Sequence, residues 1–168
     1  MNLLTGSKVL ISDNDTKSRL VERGFGEKKD SYLVLSLHEA LYLLEKGKFE
    51  VHTAEGKELN FEELAKVGAK EKNFHTKYIV FKDLRDRGFV TRTGFKFGFD
   101  FRVYPRGKKP GEEHTEWVIQ VKGQETSQSW AEFSRIVRMS GNLKTKFLQA
   151  VVDSEDDVNY YQVERIVP

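Results

Sequence analysis

The 168-residue chain has no cysteine, which excludes disulfides, zinc–thiolate sites and cysteine nucleophiles. Thiol chemistry is therefore closed to it. It also lacks any run near the roughly 20 apolar residues needed to span a bilayer, and residues 1–20 show no charged segment followed by a long apolar core. That pattern predicts a soluble, intracellular protein with no membrane contact. Internal repeats and low-complexity stretches are missing too. Net charge is small, +2, although 32% of residues are charged, so mixed-sign surfaces with a local basic patch are expected.

What is present reads as a small α/β half followed by a strand-rich half. "SKVLIS" predicts a strand, and the stretch after it a helix capped at Asn14 or Asp15 and stopped at Gly24. "YLVLS" predicts another strand. In "SLHEALYLLEKGKFEV", Ser36 and Glu39 form a capping box before the stripe Leu37, Ala40, Leu41 and Leu44, with Gly47 as the stop and "FEVHT" as a further strand. A second helical pattern follows "LNFEELAK", and a third carries Tyr78, Ile79, Phe81 and Leu84 up to Gly88. The chain turns very polar near Lys70, which divides it into domains 1–70 and 71–168. Beyond that point "FVTRTG", "FGFDFRVYP", "TEWVIQVKG", "FLQAVVD" and "VNYYQVERIV" predict strands, interrupted by one long helix in "SWAEFSRIVRMSGNLK" begun by Ser127 or Ser129.

The loop between Tyr104 and His114 collects Arg106, Gly107, Lys108, Lys109, Pro110 and Gly111. Strand-to-strand loops are where a rigid scaffold presents reactive groups. Imidazole exchanges protons near neutral pH, and cations favour the ionised form that a tyrosine needs to act as a base. The same cations suit a phosphodiester. A competing pattern is Asp100 with Gln120 and Lys122, which imitates the acid and lysine set of a magnesium-dependent nuclease but has glutamine in place of the second acid. His38, His52 and His75 have no second ligand at metal spacing. "FKFGFDF" reads as core, and "DSEDD" as an acidic hairpin turn.

"LSLHEALYLLEKGKFEV" and "LNFEELAK", then K-D-L-R-x-R-G at 82–88 and D-F-R-x-Y-x-R-G at 100–107, with "HTEWVIQV" and "FSRIVRMSGNLKTKFLQAVVDSEDDVNYY", resemble the archaeal tRNA-splicing endonuclease family from about Leu33 onward. The resemblance implies an α+β protein. A small N-terminal mixed domain would precede a catalytic nuclease domain with a mixed, mostly antiparallel sheet and one long helix. It implies a cytoplasmic enzyme that cuts precursor tRNA at intron boundaries of bulge–helix–bulge shape without metal or other cofactor. Attack by the ribose 2′-hydroxyl would leave a 2′,3′-cyclic phosphate and a 5′-hydroxyl. The family's base carries over to Tyr104 and its acid to His114. Its lysine position falls on Thr145, flanked by Lys144 and Lys146, and Lys144 is the preferred substitute. Arg138 on the long helix would meet the flipped intron base and Arg106 the RNA backbone. The resemblance further implies a dimer or tetramer, by self-association or with a paralogous subunit, and the strong alternation of "VNYYQVERIV" predicts that self-association runs through the C-terminal strand. The alternatives are a non-catalytic structural subunit of a heteromeric enzyme and the metal-dependent nuclease built on Asp100, Gln120 and Lys122.

Overall fold

A computed structural model describes residues 1–47, 49–93, 98–111 and 114–168. The chain divides into two compact units, Met1–His75 and Thr76–Pro168. Phe95 and Phe97 of the aromatic run lie outside the described residues.

The first unit contains a four-stranded antiparallel sheet in the order β1-β2-β4-β3, from β1 (Asn2–Thr5), β2 (Lys8–Ile11), β3 (Glu27–Lys29) and β4 (Tyr32–Ser36). Helix α1 (Asn14–Glu22) is capped at Asp13, one or two residues before the expected Asn14 or Asp15, because the Asp13 carboxylate accepts from the Thr16 N–H. In α2 (Leu37–Glu45) the capping box of Ser36 and Glu39 forms as predicted. A second box, Asn60 with Glu63, opens α3 (Phe61–Gly68). Each box satisfies N–H groups that a helix start leaves unpaired. The residues of α2 from Leu37 to Leu43 are all buried rather than lying along one stripe, so this helix is the centre of its unit.

"FEVHT" is not a strand. His52 makes single-residue bridges to Leu3 and Glu58, and the Thr53 N–H already bonds back to the Lys57 carbonyl around Gly56. The tight turn ends the pairing before a strand accumulates. The sequence pattern also missed β3, whose Glu27, Lys28 and Lys29 are all exposed and carry no apolar alternation.

The second unit is a mixed sheet in the order β5-β6-β7-β8-β9, from β5 (Thr91–Thr93), β6 (Phe101–Val103), β7 (Trp117–Gly123), β8 (Lys146–Val152) and β9 (Val158–Val163). Only β7 and β8 run parallel. A parallel pair needs a crossover, and α5 (Trp130–Asn142), capped by Ser129, supplies it. Helix α5 buries Ile136 and Val137 with Phe99, Val118 and Phe147. Helix α4 (Phe74–Asp86) packs Phe81 against Phe101, ring centroids 6.0 Å apart. "DSEDD" forms the expected turn, in which the Asp153 carboxylate accepts from the N–H groups of Glu155 and Asp157.

Strand β9 is tied to α4 by Tyr160, whose hydroxyl donates to the Asp83 carboxylate at 2.7 Å, while Arg87 pairs with the same oxygen at 2.9 Å. Burial, followed by this bond, raises the Tyr160 pKa well above the usual tyrosine range. An unfolded tyrosine ionises near pH 10. The unfolded chain therefore loses this proton first, and stability falls as pH rises through that value. Tyr160→Phe is expected to flatten the decline relative to the parent protein in denaturant titrations between pH 8 and 11. It should cost about 1 kcal/mol at pH 7.

Candidate active site

The ends of three strands meet at one edge of the five-stranded sheet. Val103, Trp117 and Lys146 stand opposite one another across β6, β7 and β8. The ladder continues outward: the Tyr104 N–H donates to the Val90 carbonyl at 3.0 Å, Glu116 N–H to Val103 at 2.8 Å and Lys146 N–H to Glu116 at 3.1 Å. Neighbouring strands lie about 4.8 Å apart, so the backbones of Tyr104 and Lys146 are separated by roughly two such steps. His114 lies two residues before Glu116, and Lys144 two residues before Lys146. The β6–β7 and β7–β8 pairings together thus align strand ends that lie some 40 positions apart in the chain, from Val103 to Lys146.

The burial of these groups differs. Tyr104 is 6% exposed, a ring fixed in the wall of the site. His114 is exposed. Gly107 keeps a left-handed backbone, φ 78°, at the turn of the connecting loop. Arg106 lies over the ring of Phe89, 4.8 Å from its centroid, and Phe89 meets Trp117 edge-on at 5.5 Å. That stack holds a cation beside the row of strand ends.

Side chains alternate along a strand, so Lys146 shares the face of Trp117, and its ammonium lies 3.7 Å from the Glu116 carboxylate. Thr145, one step earlier, turns to the other face, where its N–H and hydroxyl approach the Ser140 carbonyl at 3.1 and 3.5 Å. Lys144 is free of this parity because its backbone is left-handed, φ 54°. Its N–H bonds to the Gly141 carbonyl and that of Thr145 to Ser140, the paired bonds of a Schellman helix end. Helices α1 and α4 close with the same pair of bonds, yet they place Gly24 and Gly88 at the left-handed position. Only at α5 does a lysine stand where glycine is favoured. Helical and strand periodicity carry no signal for that conformation.

Both segments of the chain match models of one family. Residues 2–65 match "tRNA intron endonuclease, N-terminal domain", and residues 74–160 match "tRNA intron endonuclease, catalytic C-terminal domain". The chain belongs to the tRNA intron endonuclease family. It is 40% identical over 163 residues to a tRNA-splicing endonuclease of Thermococcus kodakarensis, covering 96% of this chain and 95% of that protein. A Thermococcus onnurineus protein of the same name is 44% identical over 163 residues, with 96% and 93% covered. One from Methanothermobacter thermautotrophicus is 36% identical over 144 residues, with 86% and 84% covered.

In this family member a cleft of about 420 Å³ opens between α5, β8 and β9, lined by Arg138, Asn142, Thr145, Lys146, Glu164 and Arg165 among others. Arg138 is exposed on α5. Arg165 faces the same cleft and was missed in the sequence, since nothing in a strand-end arginine marks it.

Asp100, Gln120 and Lys122 are also brought near one another, but the carboxylate is already engaged. One Asp100 oxygen accepts from the Val121 N–H at 2.7 Å and the other pairs with Lys77 at 3.5 Å. Burial pushes the Asp100 carboxyl above the usual range in spite of both partners. The Gln120 side-chain oxygen accepts from Gln128. Asp100 thus fastens the start of β6 to β7 and α4, which is a structural task. No helix among the described residues is long and apolar enough to cross a membrane.

Proposed function

We propose that this chain is an endoribonuclease that removes introns from precursor tRNA by metal-independent transesterification. The observation that supports the reading is the register that sets Val103, Trp117 and Lys146 side by side, with Tyr104, His114 and Lys144 within three residues of them in the sequence, in a chain of this family. The Tyr104 oxygen takes the proton of the ribose 2′-hydroxyl, the 2′ oxygen bonds to phosphorus, and the bond to the 5′ oxygen breaks. His114 gives that oxygen its proton, so the products are a 2′,3′-cyclic phosphate and a 5′-hydroxyl. The ammonium of Lys144 offsets the charge that gathers on the phosphate oxygens. Arg106, Arg138 and Arg165 hold the RNA by phosphate contact and stacking.

Cleavage of an intron-bearing precursor tRNA is expected to continue in excess EDTA, with a 2′,3′-cyclic phosphate at the upstream end in mass spectra. Loss of activity in EDTA, restored by magnesium, would return the chemistry to Asp100, Gln120 and Lys122.

Strand β9 lies at the edge of its sheet with Tyr161 exposed, and an unpaired edge supports self-association through this strand. A second reading, a structural subunit that needs a catalytic paralogue, draws on Thr145 at the family's lysine position. Under that reading the purified chain binds precursor tRNA and leaves it uncut until the paralogue is added.

A further inference from the structure

Trp130 is 81% exposed at the first turn of α5. Its ring meets Phe133 edge-on, centroids 5.6 Å apart at 88°, which restricts the indole and leaves its face open. Ser129 caps the helix beneath it by accepting from the Glu132 N–H, which orders the first turn on which the ring stands. Phe133 continues into an open cleft of about 540 Å³ in which Arg138 and Arg165 outnumber the one acid, Glu164. Along the same helix the exposed residues are mainly small or basic: Ala131, Ser134, Arg135 and Arg138, with Glu132 the acid of the first turn.

An exposed tryptophan on a cation-bearing helix could serve a second copy of the chain or a nucleic acid. Association between copies buries about 800 Å² on each partner and favours a broad apolar centre. Among the described residues Trp130 is the one large apolar side chain exposed on α5. An open aromatic ring on a helix that carries arginines five and eight residues further along, Arg135 and Arg138, is instead the chemistry that binds unpaired bases, the ring stacking and the cations following the phosphates.

Resting on the reading of the chain as an RNA-cleaving enzyme, we propose that Trp130 stacks on an unpaired nucleotide of the substrate outside the reaction centre, and that α5 guides the strand from there to Arg138. Eight residues of helix span about 12 Å, room for roughly three or four stacked nucleotides at ~3.4 Å each. The site takes any base, since every base offers a stacking face.

The test uses fluorescence anisotropy with two probes, a labelled intron-bearing precursor tRNA and a labelled twelve-nucleotide oligouridine. Trp130→Ala is expected to weaken binding of both by roughly 5- to 100-fold. Trp130→Phe should retain most of the affinity. Because no ion is lost, the slope of log K against log salt should stay as in the parent protein, whereas Arg138→Gln should reduce it by about 0.7 to 0.9. Intrinsic fluorescence should be quenched on adding oligouridine and lose that quench in Trp130→Phe, which retains Trp117. Unchanged affinity of Trp130→Ala for both probes overturns the proposal. So does a fall in oligomeric mass of that variant by sedimentation, which would assign the ring to a contact between copies. A parent protein that cuts the precursor while Trp130→Ala binds normally refutes this inference alone. One that never cuts, yet loses affinity on Trp130→Ala, refutes the catalytic reading and leaves the stacking site standing.

Discussion

His114→Ala is expected to lower the single-turnover rate of precursor tRNA cleavage by roughly 10²–10⁴-fold, the range for loss of a general acid. A proton must reach the departing 5′ oxygen as its bond to phosphorus breaks, because an alkoxide is a poor leaving group. His114 is exposed and outside the buried core, so the expected loss of stability is small beside the loss of rate, and the variant's affinity for the RNA should change little. A rate loss without a comparable stability or binding loss separates a chemical role from a structural one. Tyr104→Phe is the companion variant, retaining the buried ring while removing the hydroxyl. If His114→Ala cuts at the parental rate, proton donation lies elsewhere and the proposed assignment falls.

Lys144→Gly is expected to move stability and activity in opposite directions. A side chain in the left-handed region costs about 1 kcal/mol relative to glycine, and Lys144 stands there at φ 54° in the helix end that Gly24 and Gly88 occupy elsewhere in the chain. Replacing it with glycine should therefore raise stability by about 1 kcal/mol. If the ammonium offsets charge on the phosphate, the same change should slow single-turnover cleavage by roughly 10²–10³-fold, comparable to removing an oxyanion donor. Strain retained at a reactive position is the pattern expected of a functional residue. Lys146→Ala should be nearly silent on rate, because that ammonium faces Glu116 beside Trp117. A large rate loss in Lys146→Ala together with a normal rate in Lys144→Gly would transfer the role to Lys146. Normal rates in both, with His114→Ala inactive, would transfer it to an arginine of the cleft.

Local sequence went far toward the elements. Ser36 with Glu39, Ser129, and the glycines at 24, 47 and 88 mark helix ends because capping involves groups only three to five residues apart. Where it failed, the deciding partner was distant or the local pattern was silent. Strand β3 is polar along its whole length, and "FEVHT" was undone by the turn at Gly56. Asp100 looked like half of a metal site until Lys77 and Val121 were seen to occupy its oxygens.

The candidate site divides in the same way. Tyr104, His114 and the absence of cysteine are properties of the sequence, and they excluded thiol chemistry while leaving both proton transfer and the metal-dependent alternative open. The lysine was not settled there, because strand parity counted back from β8 turns both Lys144 and Lys146 away from the face of Thr145. The left-handed helix end releases Lys144 from that parity, and the bond from the Lys146 N–H to the Glu116 carbonyl fixes Lys146 in it. The left-handed turn at Lys144 is itself held by local bonds to Gly141 and Ser140, but without a glycine at that position the residue types do not announce it. Hence the candidate residue types were legible one by one in the sequence, while the alignment of their strand ends depended on register, which only tertiary packing selects.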